Sequence, residues 1–367
     1  MRELCPLIFS IALCSGCGSE DAERRRAVSD AGTLPPAEDA RPASDVADRS
    51  VPIERDATDD QAAVDASTAI DAQGENPIDA QSLDASLVTP IEQNGRYVFT
   101  AGDLALEVDP RVGGRVTSFA LSGRNLLTGP SVDPGNYGST FWTSPQSDWG
   151  WPPIGEIDNQ PYAAVVKDGK LVLTGMTSQR LQVSVDKTFA MDASKRAVQI
   201  EYVISNRGSA PRMFAPWEVT RVRPNGLTFF PTGQGSYNYG ANPLPTQDVA
   251  GMTWFNYQAS TIPVDSKFFA DGSRGLLFHV ASDRTVFIKK FGDVPGANHA
   301  PNEGEIEIYA NGAHTYIELE NQGAYASIAP GQSTSFSIEW FLRQLPDGIQ
   351  ATVGDAALIA FVESVVQ

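Results

Sequence analysis

From Arg96 onward the chain is cut into short alternating runs by pairs of turn residues, and no other feature limits its fold as much. Arg96–Thr100 leads through Gly102-Asp103 to Leu104–Val108, and Gly113-Gly114 precede Arg115–Leu121. Ala163–Val166 and Leu171–Thr174 flank Lys167-Asp168-Gly169-Lys170, where Asp-Gly accepts the positive φ of a type I′ hairpin turn. Leu181–Phe189 and Val198–Ser205 alternate with period two, and Asn225-Gly226, Asp271-Gly272 and Asn311-Gly312 punctuate later pairs. One helix is expected, over Asp355–Val366. Many antiparallel strands in one long segment predict an all-β fold, a large twisted β-sandwich of two broad sheets.

That sandwich has no covalent staple. All three cysteines (Cys5, Cys14, Cys17) lie in the first seventeen residues, so the rest has no disulfide, thiol nucleophile or cysteine metal site. A single large apolar core must hold it together.

The first 17 residues read as a lipoprotein signal peptide. Arg2 precedes an apolar run over Leu4–Leu13, too short to span a bilayer, which ends in Cys14-Ser15-Gly16-Cys17. This resembles the bacterial lipobox, with Cys14 where Leu is usual, and it implies lipidation of Cys17. Gly18 after that cysteine resembles the pattern sorted to the outer membrane. The expected location is therefore the bacterial cell envelope, lipid-anchored, facing the periplasm or the cell surface.

Residues 18–90 change character. They contain no aromatic residue, repeat Asp-Ala (Asp56-Ala57, Asp65-Ala66, Asp71-Ala72), and carry 17 acidic against 6 basic residues, net −11 of the chain's −18. Such a segment is expected to be a disordered, self-repelling tether. At roughly 5–6 Å × √n it would hold the domain about 45 Å from its anchor. Residues 91–367 then form the folded domain. The acidity and the lack of any basic, aromatic-interleaved patch argue against nucleic acid as a partner.

Chemistry concentrates in two stretches. Gly138–Pro153 carries three of the six tryptophans, Trp142, Trp149 and Trp151, among short polar groups including Gln146. Pro145, Pro152 and Pro153 interrupt ladder bonding, so much of it is expected as loop. Phe214–Arg221 sets Trp217 beside Glu218, with Arg221 three residues on. In an extended segment Trp217 and Arg221 share one face and Glu218 the other. Rings among hydrogen-bonding groups suit a flat, hydroxyl-rich ligand; the bland alternative is that they fill the core. Glu318 and Glu320 share the strand face opposite Ile317 and Leu319, a pattern that ordinarily marks a solvated face. His279 reads as a packed strand residue, whereas His299 and His314 lie in loop sequence and suit the surface. No Gly-x-Ser-x-Gly elbow, phosphate-binding loop or zinc-helix motif is present, and no metal or cofactor is expected.

Read in order, several short motifs resemble the galactose mutarotase (aldose 1-epimerase) superfamily. Gly113-Gly114-Arg115-Val116-Thr117-Ser118-Phe119 with Gly123–Leu127 is similar to its opening, and Val203–Gly208 to a mid-domain strand ending in Asn. Leu319-Glu320-Asn321-Gln322, Ala329-Pro330-Gly331-Gln332-Ser333 and Glu339-Trp340 resemble its C-terminal pattern. Phe141–Pro153 with Ala215–Arg221 looks like an uncharacterised bacterial lipoprotein family inside it. The resemblance implies a β-supersandwich with a sugar-binding groove, and puts the family's general base at Glu320. The family's general-acid histidine has no counterpart near Pro216-Trp217-Glu218, so Glu218 could serve only if burial raised its pKa. Two readings stay open. One is a membrane-anchored carbohydrate-binding domain using Trp142, Gln146, Trp149, Trp151, Trp217 and Arg221. The other is a carbohydrate-active enzyme, epimerase-like or related, pairing Glu320 with Glu218.

Overall fold

In the computed structural model, residues 86–237 and 242–367 are described. The signal peptide, Cys17 and the tether up to residue 85 lie outside them.

Two broad antiparallel sheets make the domain. The first runs Ile91–Gln93, Arg96–Ala101, Leu104–Asp109, Arg115–Leu121, Ser139–Ser144, Arg212–Val222, Ile317–Gln322, Ile306–Ala310 and Ser266–Gly272. The second runs Ala163–Lys167, Lys170–Thr174, Val183–Asp192, Ala197–Asn206, Ser333–Gln344, Thr285–Phe291 and Leu276–Val280. The long strand Leu227–Tyr237 pairs with Leu276–Val280 and Met252–Asn256 through its first half, and with Ser266–Gly272 through its second. It thereby stitches the sheets together.

Turn chemistry places the strands as the sequence predicts. Asp168 (φ 50°) and Gly169 (φ 74°) form the expected hairpin between Ala163–Lys167 and Lys170–Thr174. Gly113 adopts φ 67°, and a Cβ there would lie 1.8 Å from the Asp158 carbonyl oxygen. Only glycine allows that approach. It matters because Asp158 holds part of the site.

Two expectations need correction. Ser139–Ser144 is not loop but a wholly buried strand, paired along its length with Arg212–Val222 and at Ser139 with Arg115–Leu121; Pro145 ends it, so the proline effect begins only there. Ser86–Pro90 does not behave as tether: Leu87 bridges Asp192 and the Val88 N–H donates to the Met191 carbonyl (2.9 Å). Leu87 and Val88 supply apolar side chains that the acidic composition around them obscures.

Between the sheets lies the main core, with Trp340 packed against Phe119 and Phe287 and with Phe141 stacked on Tyr202 (4.3 Å). The far face of the second sheet buries Trp254, Phe278 and Phe341 under the C-terminal helix Ala356–Val365. Asp355 caps that helix by accepting from the Leu358 N–H, and Leu358 and Val362 face inward.

Candidate functional site

Strand register decides which side chains meet. Across Arg212–Val222 and Ile317–Gln322, Trp217 lies opposite Gln322, Val219 opposite Glu320, and Arg221 opposite Glu318. The neighbouring strands add Trp142 opposite Trp217 and Glu307 opposite Glu320. Lys267 stands opposite Tyr309 and Phe269 opposite Glu307. Directly opposed residues project to one side, so all of these occupy a single face of the first sheet, the one turned away from the second sheet.

Aromatic rings wall this face. Trp142 makes edge contacts with Trp149 (5.6 Å), Trp151 (6.2 Å) and Trp217 (5.2 Å). Two indoles are anchored internally: Trp142 Nε1 donates to Asp158 Oδ1 (2.8 Å) and Trp149 Nε1 to the Thr143 carbonyl (2.7 Å). Trp142, Trp149 and Trp217 are buried, whereas Trp151 is 61% exposed. Gln146 sets the loop against the site through its backbone N–H, which donates to Glu303 Oε1 (2.9 Å).

Behind the rings lies a buried charge cluster. Trp217 Nε1 and Lys267 Nζ both donate to Glu320 Oε2 (2.8 and 3.0 Å), and Lys267 also pairs with Glu307 Oε2 (2.6 Å). Glu307 Oε1 accepts from the Gly304 N–H and from Gln322 Nε2. Burial pushes the Glu307 carboxyl well above the usual range, Lys267 opposing and Glu303 and Glu320 adding to the rise. Glu303 is raised too, again chiefly by burial. Burial pulls the Lys267 ammonium down, but the carboxylates of Glu307 and Glu320 reverse this and hold it above its ordinary value. Arg221 binds Glu318 through Nε (2.7 Å) and Thr140 through Nη1 (3.2 Å), beneath the Trp142 ring. Burial lifts Glu318 to about 7, with Arg221 opposing. Arg221 Nη2, Glu320 Oε1 and Gln322 Oε1 are buried with no hydrogen-bond partner among the described residues. Solvent meets the charged groups at Lys267 and Glu318, whose side chains are 17% and 11% exposed.

Glu218 is not part of this. Opposite Phe141 and Asn321, it projects between the sheets, where it pairs with Lys289 (3.0 Å) and accepts from Tyr202 Oη (2.8 Å) and Trp340 Nε1 (3.1 Å). Period-two alternation separates it from Glu320, so the two cannot act as an acid/base pair on one ligand. Nor do Glu318 and Glu320 lie on a solvated face; both are buried. His279 is packed against Thr228 as its strand suggests. His299 is not a surface residue: its ring is nearly buried and stands 3.3 Å from Asp271.

Lys267, Glu303 and Glu307 escape a motif reading. Their signal is alternation: Gly304-Glu305-Ile306-Glu307-Ile308-Tyr309 and Ser266-Lys267-Phe268-Phe269 each put charge opposite apolar residues. Which charge meets which is settled by register alone.

Residues 150–343 match a family described as Domain of unknown function (DUF4380). No curated protein matches the chain. Among solved structures, a TPR-domain containing protein from Parabacteroides distasonis is similar at a TM-score of 0.52 and 14% identity, over 71% of this chain. This chain covers only 49% of that protein's length. A galactose mutarotase-like protein from Lactobacillus casei is similar at a TM-score of 0.51 and 10% identity, over 68% of this chain and 100% of that one. The fold is thus the galactose mutarotase-like sandwich that the sequence motifs imply.

Proposed function

This chain belongs to the DUF4380 family, and from that membership together with its fold we propose that it binds carbohydrate on the tryptophan-walled face of the first sheet. One observation carries the reading: Arg221 Nη2, Glu320 Oε1 and Gln322 Oε1 are buried and unpartnered on the sheet face that the indoles wall. Buried polar atoms ordinarily find partners, and leaving them bare costs about 1–3 kcal/mol each. A sugar suits both halves of the site. Its C–H face packs on an aromatic ring while its hydroxyls reach carboxylate, amide and guanidinium. Trp151, the exposed ring, stands where a ligand would first make contact. We extend the proposal to the whole chain: a lipid on Cys17 and the acidic tether present this domain at the cell envelope.

A glycan array probed with the full chain tests this. Binding that is lost on Trp151→Ala supports it; a blank array, or binding indifferent to Trp151, overturns it.

A second reading has its own support. Glu307, whose carboxyl burial raises well above the usual carboxylate range, lies directly opposite Glu320. A carboxyl of raised pKa beside a second carboxyl is an arrangement that general acid–base chemistry uses. Glu307 rather than Glu218 is then the partner of Glu320. Polarimetry on the sugars that the array identifies decides between binding and turnover: accelerated anomer exchange that Glu320→Gln abolishes favours the enzyme.

A further inference from the structure

Charge on the tryptophan-walled face points to the chemical class of the ligand, and this step rests on the carbohydrate reading above. Glu303, Glu307 and Glu320 are all buried, and the last two meet one ammonium, that of Lys267. Glu303 leans on Glu307 through a side-chain hydrogen bond. Arg221, a second cation on the face, is paired with Glu318 through Nε and bonded to Thr140 through Nη1, with Nη2 left without a partner among the described residues. Carboxyl groups therefore outnumber cations here by two.

Two acceptors on the strand that carries Glu320 are unpartnered, and the bare donor on this face, Arg221 Nη2, belongs to the guanidinium that Glu318 already neutralises. Glu320 Oε1 and Gln322 Oε1 have no donor among the described residues, although their residues are 0% and 2% exposed. The Gln322 amide is oriented by its Nε2, which donates to Glu307 Oε1 (2.7 Å); turning it over would set two acceptors against each other. Lys267 illustrates what this face accommodates. Its Nζ lies between two carboxylates, 4.8 Å from the Trp217 ring centroid and 5.2 Å from that of Phe269. That is the surrounding an organic ammonium seeks.

We propose that the ligand is an amino sugar bearing a free primary ammonium, received by Glu320 Oε1 and Gln322 Oε1. An ammonium brings three N–H donors, no acceptor and one positive charge, which answers both the bare acceptors and the surplus of carboxyls. A neutral hydroxyl supplies a donor but no charge. An N-acetyl group removes the charge and adds a carbonyl acceptor, and a uronate adds repulsion. The raised carboxyls agree with this account: burial lifts Glu303 and Glu307, Lys267 opposes it, and an arriving cation would further favour their ionised forms.

Isothermal titration of the full chain compares a glucosamine oligosaccharide with its N-acetylated and its all-hydroxyl counterparts, each in two buffers of different ionisation enthalpy. The amino form is expected to bind at least 10-fold more tightly, with release of protons. Glu320→Gln and Gln322→Met, each checked by thermal melting, are expected to bring it within about threefold of the neutral forms. If neutral or N-acetylated sugars bind equally well or better, the amino-sugar assignment falls while the carbohydrate reading stands. If oligolysine of equal charge binds as tightly, the attraction is non-specific and the assignment falls. If no sugar binds, the carbohydrate reading falls with it.

Discussion

Replacing Glu218 by Gln removes the anion from a fully buried ion pair between the sheets. Lys289 Nζ, 3.0 Å away, would keep only the Leu319 carbonyl and the Asn321 amide oxygen as acceptors. Tyr202 Oη and Trp340 Nε1 would compete for a single amide oxygen, with the new NH2 group aimed at donors. Leaving a buried charge without its partner costs about 3–5 kcal/mol. At about 2–4 °C per kcal/mol for a domain of this size, the thermal midpoint should fall by roughly 6–20 °C. Part of that loss is escapable, because Lys289 can shed its proton. Burial already lowers its pKa in the intact protein, with Glu218 opposing the fall, and removing Glu218 lowers it further. A folded-state pKa below the unfolded value means stability present at high pH and lost as pH falls through the folded value. The deficit of Glu218→Gln should therefore be larger at pH 7 than at pH 9. Adding Lys289→Met removes the stranded charge, so a double-mutant cycle should return a coupling of about 2 kcal/mol or more. Urea titrations of the four proteins at both pH values give these numbers. A Glu218→Gln protein that keeps its midpoint within 2 °C yet loses sugar binding would refute the placement of Glu218 as a structural partner.

Four further expectations concern other parts of the chain. Trp151→Ala should weaken glycan binding by about 2 kcal/mol, roughly 30-fold, without moving the midpoint, since that ring is exposed. Trp217→Ala should instead cost about 3–5 kcal/mol of stability, because that buried ring also partners Glu320; calorimetry separates the two. Burial lowers His279 to about 4, below its ordinary 6.5, with Asp283 opposing. Its contribution is present above pH 6.5 and lost as pH falls through 4, about 3 kcal/mol in all, and His279→Gln should flatten that part of the denaturation-versus-pH curve. Cys17→Ser should move the protein from the membrane to the soluble fraction; unchanged fractionation would remove the lipid anchor from the proposal.

Local sequence was enough for the all-β class, the hairpin at Asp168-Gly169 and the C-terminal helix. Each follows from interactions within a few residues: positive φ at a turn, period-two alternation, an Asp cap. Alternation even separated Trp217 from Glu218 onto opposite faces of one strand. What alternation cannot say is which face is buried against what. Both faces of Arg212–Val222 are covered, one by the second sheet and one by the indoles and the charge cluster, so Glu218 and Glu320 look equally available in one dimension. The Ser139–Ser144 strand was obscured for a related reason: prolines after residue 144 colour the whole stretch, although each acts on its own ladder position. Glu307 reaches Glu320 across a gap of 13 residues, and Lys267 does so across 53. Those meetings are set by the register of three strands, which depends on how the full length of each buries its apolar side. Glu307 and Glu320 sit on the two arms of one hairpin, but Lys267 joins them from Ser266–Gly272 and Trp217 from Arg212–Val222 only when the sheet forms, so the cluster beside Trp217 was decided by tertiary structure.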